Sequence, residues 1–514
     1  MYKPVLTAEQ GRNMNPLLPR WALVGIGACC IVLLSACSSI AGNQSATPSQ
    51  TNIAAPPGAR NVILFIGDGM GPSTVTAMRI LDGQRKGMQG EENVLSFERF
   101  EHVALSKTYS VNQQVGESSG TATAMLSGLK TRAGLIGIGP GASRRNCSSS
   151  WGHQLPSFLE LSESAGKSTG IVTTTRLTHA TPAAAYAHSP ERDWENDADL
   201  TDEAILNGCK DIAAQLIDFP YGDGIEVALG GGRIKFFPHS VADPEGADTG
   251  EGRLDNRDLA QEWLDKHPNS AYVWNQGQFE AIEPDTTDHL LGLFNSDHMQ
   301  FEADRMDDPA GEPSLADMTR LAIEMLNRNP DGYFLLVEGG RIDHAHHDNN
   351  AYRALTDGIA FAEAVRIADE MTAQEDTLIV VTADHSHTFV IGGYPTRGNP
   401  ILGKVVTNNS RGEVNSFPAT VDDGKPFTTL GYMVGPGGAW VGGPRPDLSE
   451  IDTEGDKDFI QQSGLPAEDD THAGEDVAVY ARGPGAWRIN GVIEQNEIFH
   501  AMSAASGVAA KAPE

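Results

Sequence analysis

Positive charge is scarce in this chain. Its 37 Lys and Arg face 69 Asp and Glu among 514 residues, a formal net charge of −32 at pH 7 with His neutral. Nucleic acid is therefore not an expected partner, because a phosphate backbone needs a basic surface to displace its counterions. A small anionic molecule is not excluded: bound divalent cations and a single arginine can make one pocket positive inside an acidic shell. Long hydrophobic runs are missing as well. The longest apolar stretch, 21–34, has 14 residues, short for a membrane-spanning helix. No internal repeat is present, and the segment 501–514 lacks the hydrophobic stretch of a C-terminal lipid-anchor signal. Cysteine is rare, with five in all.

What the N-terminus does contain is a targeting pattern. Lys3, Arg12 and Arg20 precede the apolar run, which ends in Leu34-Ser35-Ala36-Cys37. Small residues before a cysteine match a bacterial lipoprotein signal. The expectation is a signal peptide over 1–36, cleavage, and lipid on Cys37, giving an exported protein anchored to the cell-envelope membrane. Segment 37–58 is rich in Ser, Thr, Ala, Gln and Pro and reads as a flexible tether. Cys29 and Cys30 leave with the signal. With Cys37 acylated, Cys147 and Cys209 remain in an oxidising compartment and are expected to pair.

From residue 61 short apolar runs alternate with helical periodicity. Runs 62–66, 170–173, 227–229, 334–337 and 378–382 read as buried strands. Segment 315–326 reads as a helix with Leu315, Met318, Leu321, Ala322, Met325 and Leu326 on one face. A second helix is expected between 352 and 371. Strands alternating with helices predict an α/β fold: a three-layer sandwich around a mostly parallel sheet. Segment 394–470, dense in Gly, Pro, Asp and Thr and devoid of His, reads as an irregular insertion. It divides a core of 59–393 and 471–514.

Polar residues gather where the predicted strands end, which is where open α/β sheets bind ligands. Run 334–337 leads into Glu338-Gly-Gly-Arg-Ile-Asp343-His344-Ala-His346-His347. Two carboxylates and three imidazoles in one short stretch are the ligand mix of zinc, with oxygen-only positions left for magnesium. Asp343 and His347, four apart, share one side of a helical turn. Asp68 follows run 62–66 in a glycine-rich turn, and Asp384-His385 follows run 378–382. His387 reads either as a support for a ligand or as a plain surface residue. Ser118, where small residues open a helix, reads either as an N-cap or as a nucleophile assisted by metal and helix dipole. Arg192 reads either as a phosphate clamp or as a surface salt-bridge partner.

Six motifs taken together resemble the alkaline phosphatase family: N-V-I-L-F-I-G-D-G-M-G, E-S-S-G-T-A-T-A, T-H-A-T-P-A-A-A-Y-A-H-S, E-G-G-R-I-D-H-A-H-H, T-A-D-H-S-H and T-H-A-G-E-D-V. The match is closer to the branch that includes the vertebrate enzymes and spans about 61–484. The resemblance implies hydrolysis of phosphate monoesters through a phosphoserine on Ser118, at a site with two zinc ions and one magnesium. It assigns Asp343, His347 and His472 to the first zinc. Asp68, Asp384 and His385, with Ser118, go to the second. Asp68, Thr181 and Glu338 go to magnesium, with His179 and His344 close by and His179 counted among the metal-site residues. Arg192 matches the phosphate clamp, Cys147 and Cys209 a family disulfide, and 394–470 the crown insertion. Two departures carry expectations of their own. Glu117 stands where the family mostly has Asp, which predicts an altered seat for Arg192. The vertebrate N-terminal arm that embraces a partner subunit has no match, which leaves a homodimer open. A calcium site is also left open: Glu245, Phe294 and Glu312 correspond to parts of it, but Asn295 replaces an acidic ligand. A phosphodiesterase of the same superfamily is the competing reading; Glu338 with Thr181 argues against it.

Overall fold

The run Asn-Val-Ile-Leu-Phe-Ile-Gly is apolar on both faces of an extended chain, so it can only lie between two apolar layers. It does so in this computed structural model, which describes residues 58–440 and 442–508. The expected signal, Cys37 and the tether up to residue 57 lie outside the described residues. So does the tail from residue 509.

The strands are β1 (Asn61–Gly67), β2 (His102–Lys107), β3 (Ser168–Arg176), β4 (Val227–Gly231), β5 (Ser270–Val273), β6 (His289–Leu293), β7 (Tyr333–Gly339), β8 (Thr377–Ala383), β9 (Ser386–His387), β10 (Phe389–Ile391), β11 (Leu430–Gly435), β12 (Ser463–Pro466), β13 (His472–Ala473), β14 (Val477–Arg482) and β15 (Gly491–Glu494). Ten of them form one sheet in the order β15-β2-β14-β8-β1-β7-β3-β4-β6-β5. From β8 to β5 all neighbours are parallel. β14 is antiparallel to both β8 and β2, and β15 is parallel to β2.

Period-two alternation sorts the core. Ile63 and Phe65 join one apolar cluster, with residues of helices Pro72–Arg85, Leu315–Leu326 and Ala351–Met371. Val62, Leu64 and Ile66 point the other way, towards helices Ser118–Ser127 and Glu497–Ser506. This is the predicted three-layer arrangement. Helix Leu315–Leu326 buries all six residues of its predicted face. Its start is fixed by Ser314, whose Oγ accepts from Asp317 N at 3.1 Å.

The chain joins the sheet at the N-terminal end of β1. There Ala59 N donates to Ala505 O and Arg60 N to Asp376 O. In segment 389–466, β10, β11 and β12 form a separate small sheet. β13, just after it, pairs with β9 and sets His472 opposite His387. Cys147 and Cys209 form a disulfide, with Cα atoms 5.9 Å apart. Trp194 and Ala204 pack around it.

Candidate metal centre

Four adjacent parallel strands deliver the site from their C-terminal ends. β1 is followed directly by Asp68, and β8 by Asp384 and His385. β7 carries Glu338 and leads into helix Arg341–His347, and β3 leads to His179 and Thr181. Asp68, Thr181, Glu338, Asp384 and His385 are fully buried. Helix Ser118–Ser127 points its N-terminus into the same region. Its N-cap is Glu117, not Ser118: the Glu117 carboxylate accepts from Ser119 N and Gly120 N. Ser118 is thus freed from capping. Its Oγ lies 3.4 Å from Asp68 Oδ1 and 3.3 Å from His385 Nε2.

Three sets of ligand atoms converge, each close enough to hold a cation: Asp343, His347, His387 and His472; Asp68, Asp343 and His385; and Asp68, His179 and Glu338. In the first, His347 Nε2 lies 3.4 Å from Asp343 Oδ2, and His472 Nε2 lies 3.5 Å from Asp343 Oδ1. The two Nε2 atoms are 3.2 Å apart. His347 donates from Nδ1 to Asp470 O and His472 from Nδ1 to Gly116 O. Carbonyls only accept, so each ring carries a proton on Nδ1 and turns its Nε2 towards the other. A proton or a metal cation can sit between the two Nε2 atoms.

His387 shares this set but differs in its contacts. It is buried, which removes the surface reading. Its Nε2 is 2.7 Å from Asp343 Oδ1 and its Nδ1 is 3.0 Å from Asp470 Oδ2. With a carboxylate on each nitrogen it donates from both, and it holds Asp343 from behind.

In the second set His385 Nε2 lies 3.3 Å from Asp68 Oδ1 and 4.0 Å from Asp343 Oδ1, and Asp384 Oδ2, outside that set, is also 3.3 Å away. In the third, the buried atoms Asp68 Oδ2 and Glu338 Oε1 have no hydrogen-bond partner, nor does the buried Thr181 Oγ1. Unpaired buried oxygens are costly, and a bound cation would satisfy all three.

Electrostatics points the same way. Burial, then the charges of Asp384, Asp343 and Glu338, pushes the Asp68 carboxyl well above its usual range. Burial raises Glu338 to about 7 against the hydrogen bonds of Thr173 and Thr175, and raises Asp384 to about 6. Buried carboxylates gathered this closely repel one another, and divalent cations are the natural compensation.

Arg192 borders the centre. Its Nη1 lies 2.8 Å from Glu117 Oε2 and its Nη2 lies 3.0 Å from His179 Nε2. Glu117 therefore keeps hold of the arginine despite its extra methylene, while Oε1 also accepts from Gly134 N. Burial opposes ionisation of Glu117, but the Arg192 charge and the donated hydrogen bonds outweigh it and hold its carboxyl down to about 2.

Sequence reasoning left some residues without a place. His346 is fully buried; its Nε2 meets Thr74 Oγ1 at 3.0 Å and its Nδ1 meets Tyr432 OH at 2.8 Å. It thereby ties helix Pro72–Arg85 to β11. His298 was not singled out. It contacts Arg176 through both ring nitrogens and lies 4.2 Å from the His344 ring, centre to centre. Its place five residues past the end of β6 was the available signal. Away from the centre, Glu245 pairs with Arg233 Nη2, and Glu312 Oε1 accepts from Asn295 Nδ2.

Residues 59–508 match the family model described as alkaline phosphatase. The chain is 47% identical over 456 residues to the tissue-nonspecific alkaline phosphatase of Gallus gallus, covering 87% of this chain and 84% of that one. It is 45% identical over 453 residues to the alkaline phosphatase of Gadus morhua, covering 87% and 92%. Among solved structures, the alkaline phosphatase of Thermus thermophilus has 25% identity and a TM-score of 0.61, covering 88% of this chain and 92% of that one. The enzyme of the Antarctic bacterium TAB5 shares the fold, with 22% identity and a TM-score of 0.59, covering 88% and 99%. With a family model spanning its described body and relatives near half identity over most of its length, the chain belongs to the alkaline phosphatase family, the phosphomonoester hydrolases.

Proposed function

We propose that this phosphomonoesterase works by covalent catalysis on Ser118, with two zinc ions and one magnesium at three sites that overlap these ligand sets. Asp343, His347 and His472 would hold the first zinc, and Asp68, Asp384 and His385 the second. Asp68, Thr181 and Glu338, with His179, would hold magnesium, whose preference is for oxygen ligands. When bound, these cations supply positive charge beside the phosphoryl group and acidify the oxygens they hold.

The chain does the rest. Ser118 Oγ, at the first turn of a buried helix, has backbone N–H groups and the helix dipole to favour its anionic form. It attacks phosphorus in line; the bond to the ester oxygen breaks and the alcohol departs with a proton. Water then attacks the phosphoserine, releasing inorganic phosphate and restoring Ser118. Arg192 keeps N–H groups beyond the one given to Glu117, and these bind phosphoryl oxygens. Glu117 fixes both helix and arginine, so nucleophile and clamp keep their spacing.

The observation that carries this reading is the set of partnerless buried ligand atoms around a serine spared from capping. The test compares a phosphate monoester with a diester at pH 8 to 10, with and without chelator, in wild type and Ser118→Ala. Monoester turnover that is abolished by chelator and by the substitution is expected. Undiminished turnover in Ser118→Ala sinks the mechanism, and faster diester turnover moves the chain to the diesterase reading.

The cellular setting is proposed from the sequence. The basic start, the short apolar run and Leu34-Ser35-Ala36-Cys37 support an exported protein lipidated at Cys37. Cys37→Ala is expected to release the enzyme from the membrane fraction; unchanged retention there would refute lipid anchoring.

A further inference from the structure

The insertion ends beside the first ligand set. Asp470, its last residue, is 2% exposed, and its main chain is paired with that of helix Arg341–His347. Asp470 N donates to His347 O, and Asp470 O accepts from His347 Nδ1, each at 2.8 Å. The second of these bonds commits Nδ1, so Nε2 is the nitrogen left for a cation.

The Asp470 side chain makes a different pair of contacts. Oδ2 accepts from His387 Nδ1 at 3.0 Å, and His387 Nε2 reaches Asp343 Oδ1 at 2.7 Å. Oδ1 accepts from Thr388 Oγ1. Thr388 Oγ1 itself accepts from Met433 N and Val434 N of β11, at 3.1 and 3.3 Å. Two residues beyond Asp470, His472 opens β13 and stands opposite His387 in β9.

Each residue assigned to the first zinc thus leads back to Asp470. His347 does so through a carbonyl, Asp343 through the His387 ring, and His472 through two residues of chain. The residues assigned to the second zinc are held from elsewhere. Asp68 and His385 meet Ser118 Oγ, and Asp384 accepts from Gly69 N and, through its carbonyl, from Gln495 Nε2. An imidazole gripped at both nitrogens keeps its plane, so His387 passes the place of the Asp470 carboxylate on to Asp343. Groups behind the ligands of an ion commonly set its affinity by about 10- to 100-fold.

We infer that Asp470 is a positioning residue for the first cation site, aiming Asp343 and His347 at the ion from the end of the insertion. The inference rests on the proposed zinc reading of that site.

The test titrates metal-free, full-length enzyme with zinc in competition with a chromogenic chelator. Wild type should bind two zinc ions. In Asp470→Ala one of them should bind at least about tenfold more weakly, and the other within about twofold of wild type. Asp470→Asn keeps the shape but has one acceptor oxygen where Asp470 has two, so it should weaken the same ion by about threefold. Thr388→Val cuts the tie to β11 and leaves His387 on Asp470; both ions should stay within about twofold of wild type. With cobalt(II) in place of zinc, the visible absorption of one ion should change in Asp470→Ala and largely return in Asp470→Asn. Equal weakening of both ions in Asp470→Ala overturns the inference, because a residue that merely holds the fold together would act on both. A loss in Thr388→Val as large as in Asp470→Ala overturns it for the same reason. Wild-type zinc affinity in both Asp470 variants also overturns it and leaves the first site standing. Wild type that binds fewer than two zinc ions removes the zinc reading, and the inference with it.

Discussion

A pair of buried carboxyl groups at the pole opposite the metal centre should make the enzyme lose stability as pH rises into the alkaline range. Glu163 is 2% exposed, and its Oε1 accepts from Thr169 Oγ1 at 2.6 Å. Glu226, just before β4, accepts through Oε2 from Thr169 N at 2.6 Å. Burial, then the charge of Glu226, raises Glu163 to about 10, and burial raises Glu226 to about 7. The sign follows from linkage. A carboxyl raised in the folded state binds its proton there when the unfolded chain has already lost it. Stability is greatest below the unfolded value of 4.5 and falls as pH rises towards about 10. One proton costs about 1.4 kcal/mol per pH unit, so Glu163 alone removes roughly 3 kcal/mol between pH 7 and pH 9. Glu163→Gln keeps an acceptor for Thr169 Oγ1 and cannot ionise. Scanning calorimetry from pH 6 to 10, with metals held saturating, should show the wild-type midpoint falling towards pH 9 while the variant holds. Parallel loss in the two proteins over pH 7 to 9 would refute the argument.

Three further outcomes are expected. Glu117→Ala removes a helix cap worth about 1 kcal/mol and the anchor of Arg192, so inorganic phosphate should bind roughly tenfold more weakly, as suits the loss of one hydrogen bond to a charged group. Because Glu117 is held to about 2, its contribution is present above 4.5 and lost only as pH falls towards 2. The variant's stability deficit in denaturant should therefore be flat from pH 5 to 9, and a deficit that varies across that range would count against the pairing. Chelation should lower the unfolding midpoint, since a site at 1,000 times its dissociation constant contributes about 4 kcal/mol; an unchanged midpoint would mean that the ligand sets hold nothing. Reduction of Cys147–Cys209, which spans 62 residues, should cost about 4 kcal/mol in a denaturant titration, and no change on reduction would show that the loop is held by other contacts.

The layers of the fold were legible because the central strands are apolar on both faces. Runs 62–66, 334–337 and 378–382 lie inside β1, β7 and β8, and the helix 315–326 has the bounds its periodicity predicts. The strands near one edge were not legible. β2, second from that edge, leaves Val103 and Leu105 about half exposed, so its pattern reads as neither buried strand nor helix. Within the site, Asp343 and His347 could be placed because they are four apart on one helix. The contacts of His346 could not, because Thr74 is 272 residues away and Tyr432 is 86. His387 looked ambiguous for the same reason: Asp470, which takes its Nδ1, lies at the far end of the insertion. The substitution of Glu117 was visible, but its effect was not. That depended on whether a longer side chain could cap a helix and reach Arg192 together, which only the folded backbone settles.

The chain enters β1 at one pole of the sheet and Asp68 leaves it at the other. Seven residues of strand separate them, roughly 20 Å at the usual rise per residue. If Cys37 is lipidated as proposed, the link to the lipid joins the described body at the pole opposite its metal centre. Substrate would approach the exposed pole from open solution, and the anchoring surface would neither screen the mouth nor select molecules by their affinity for lipid.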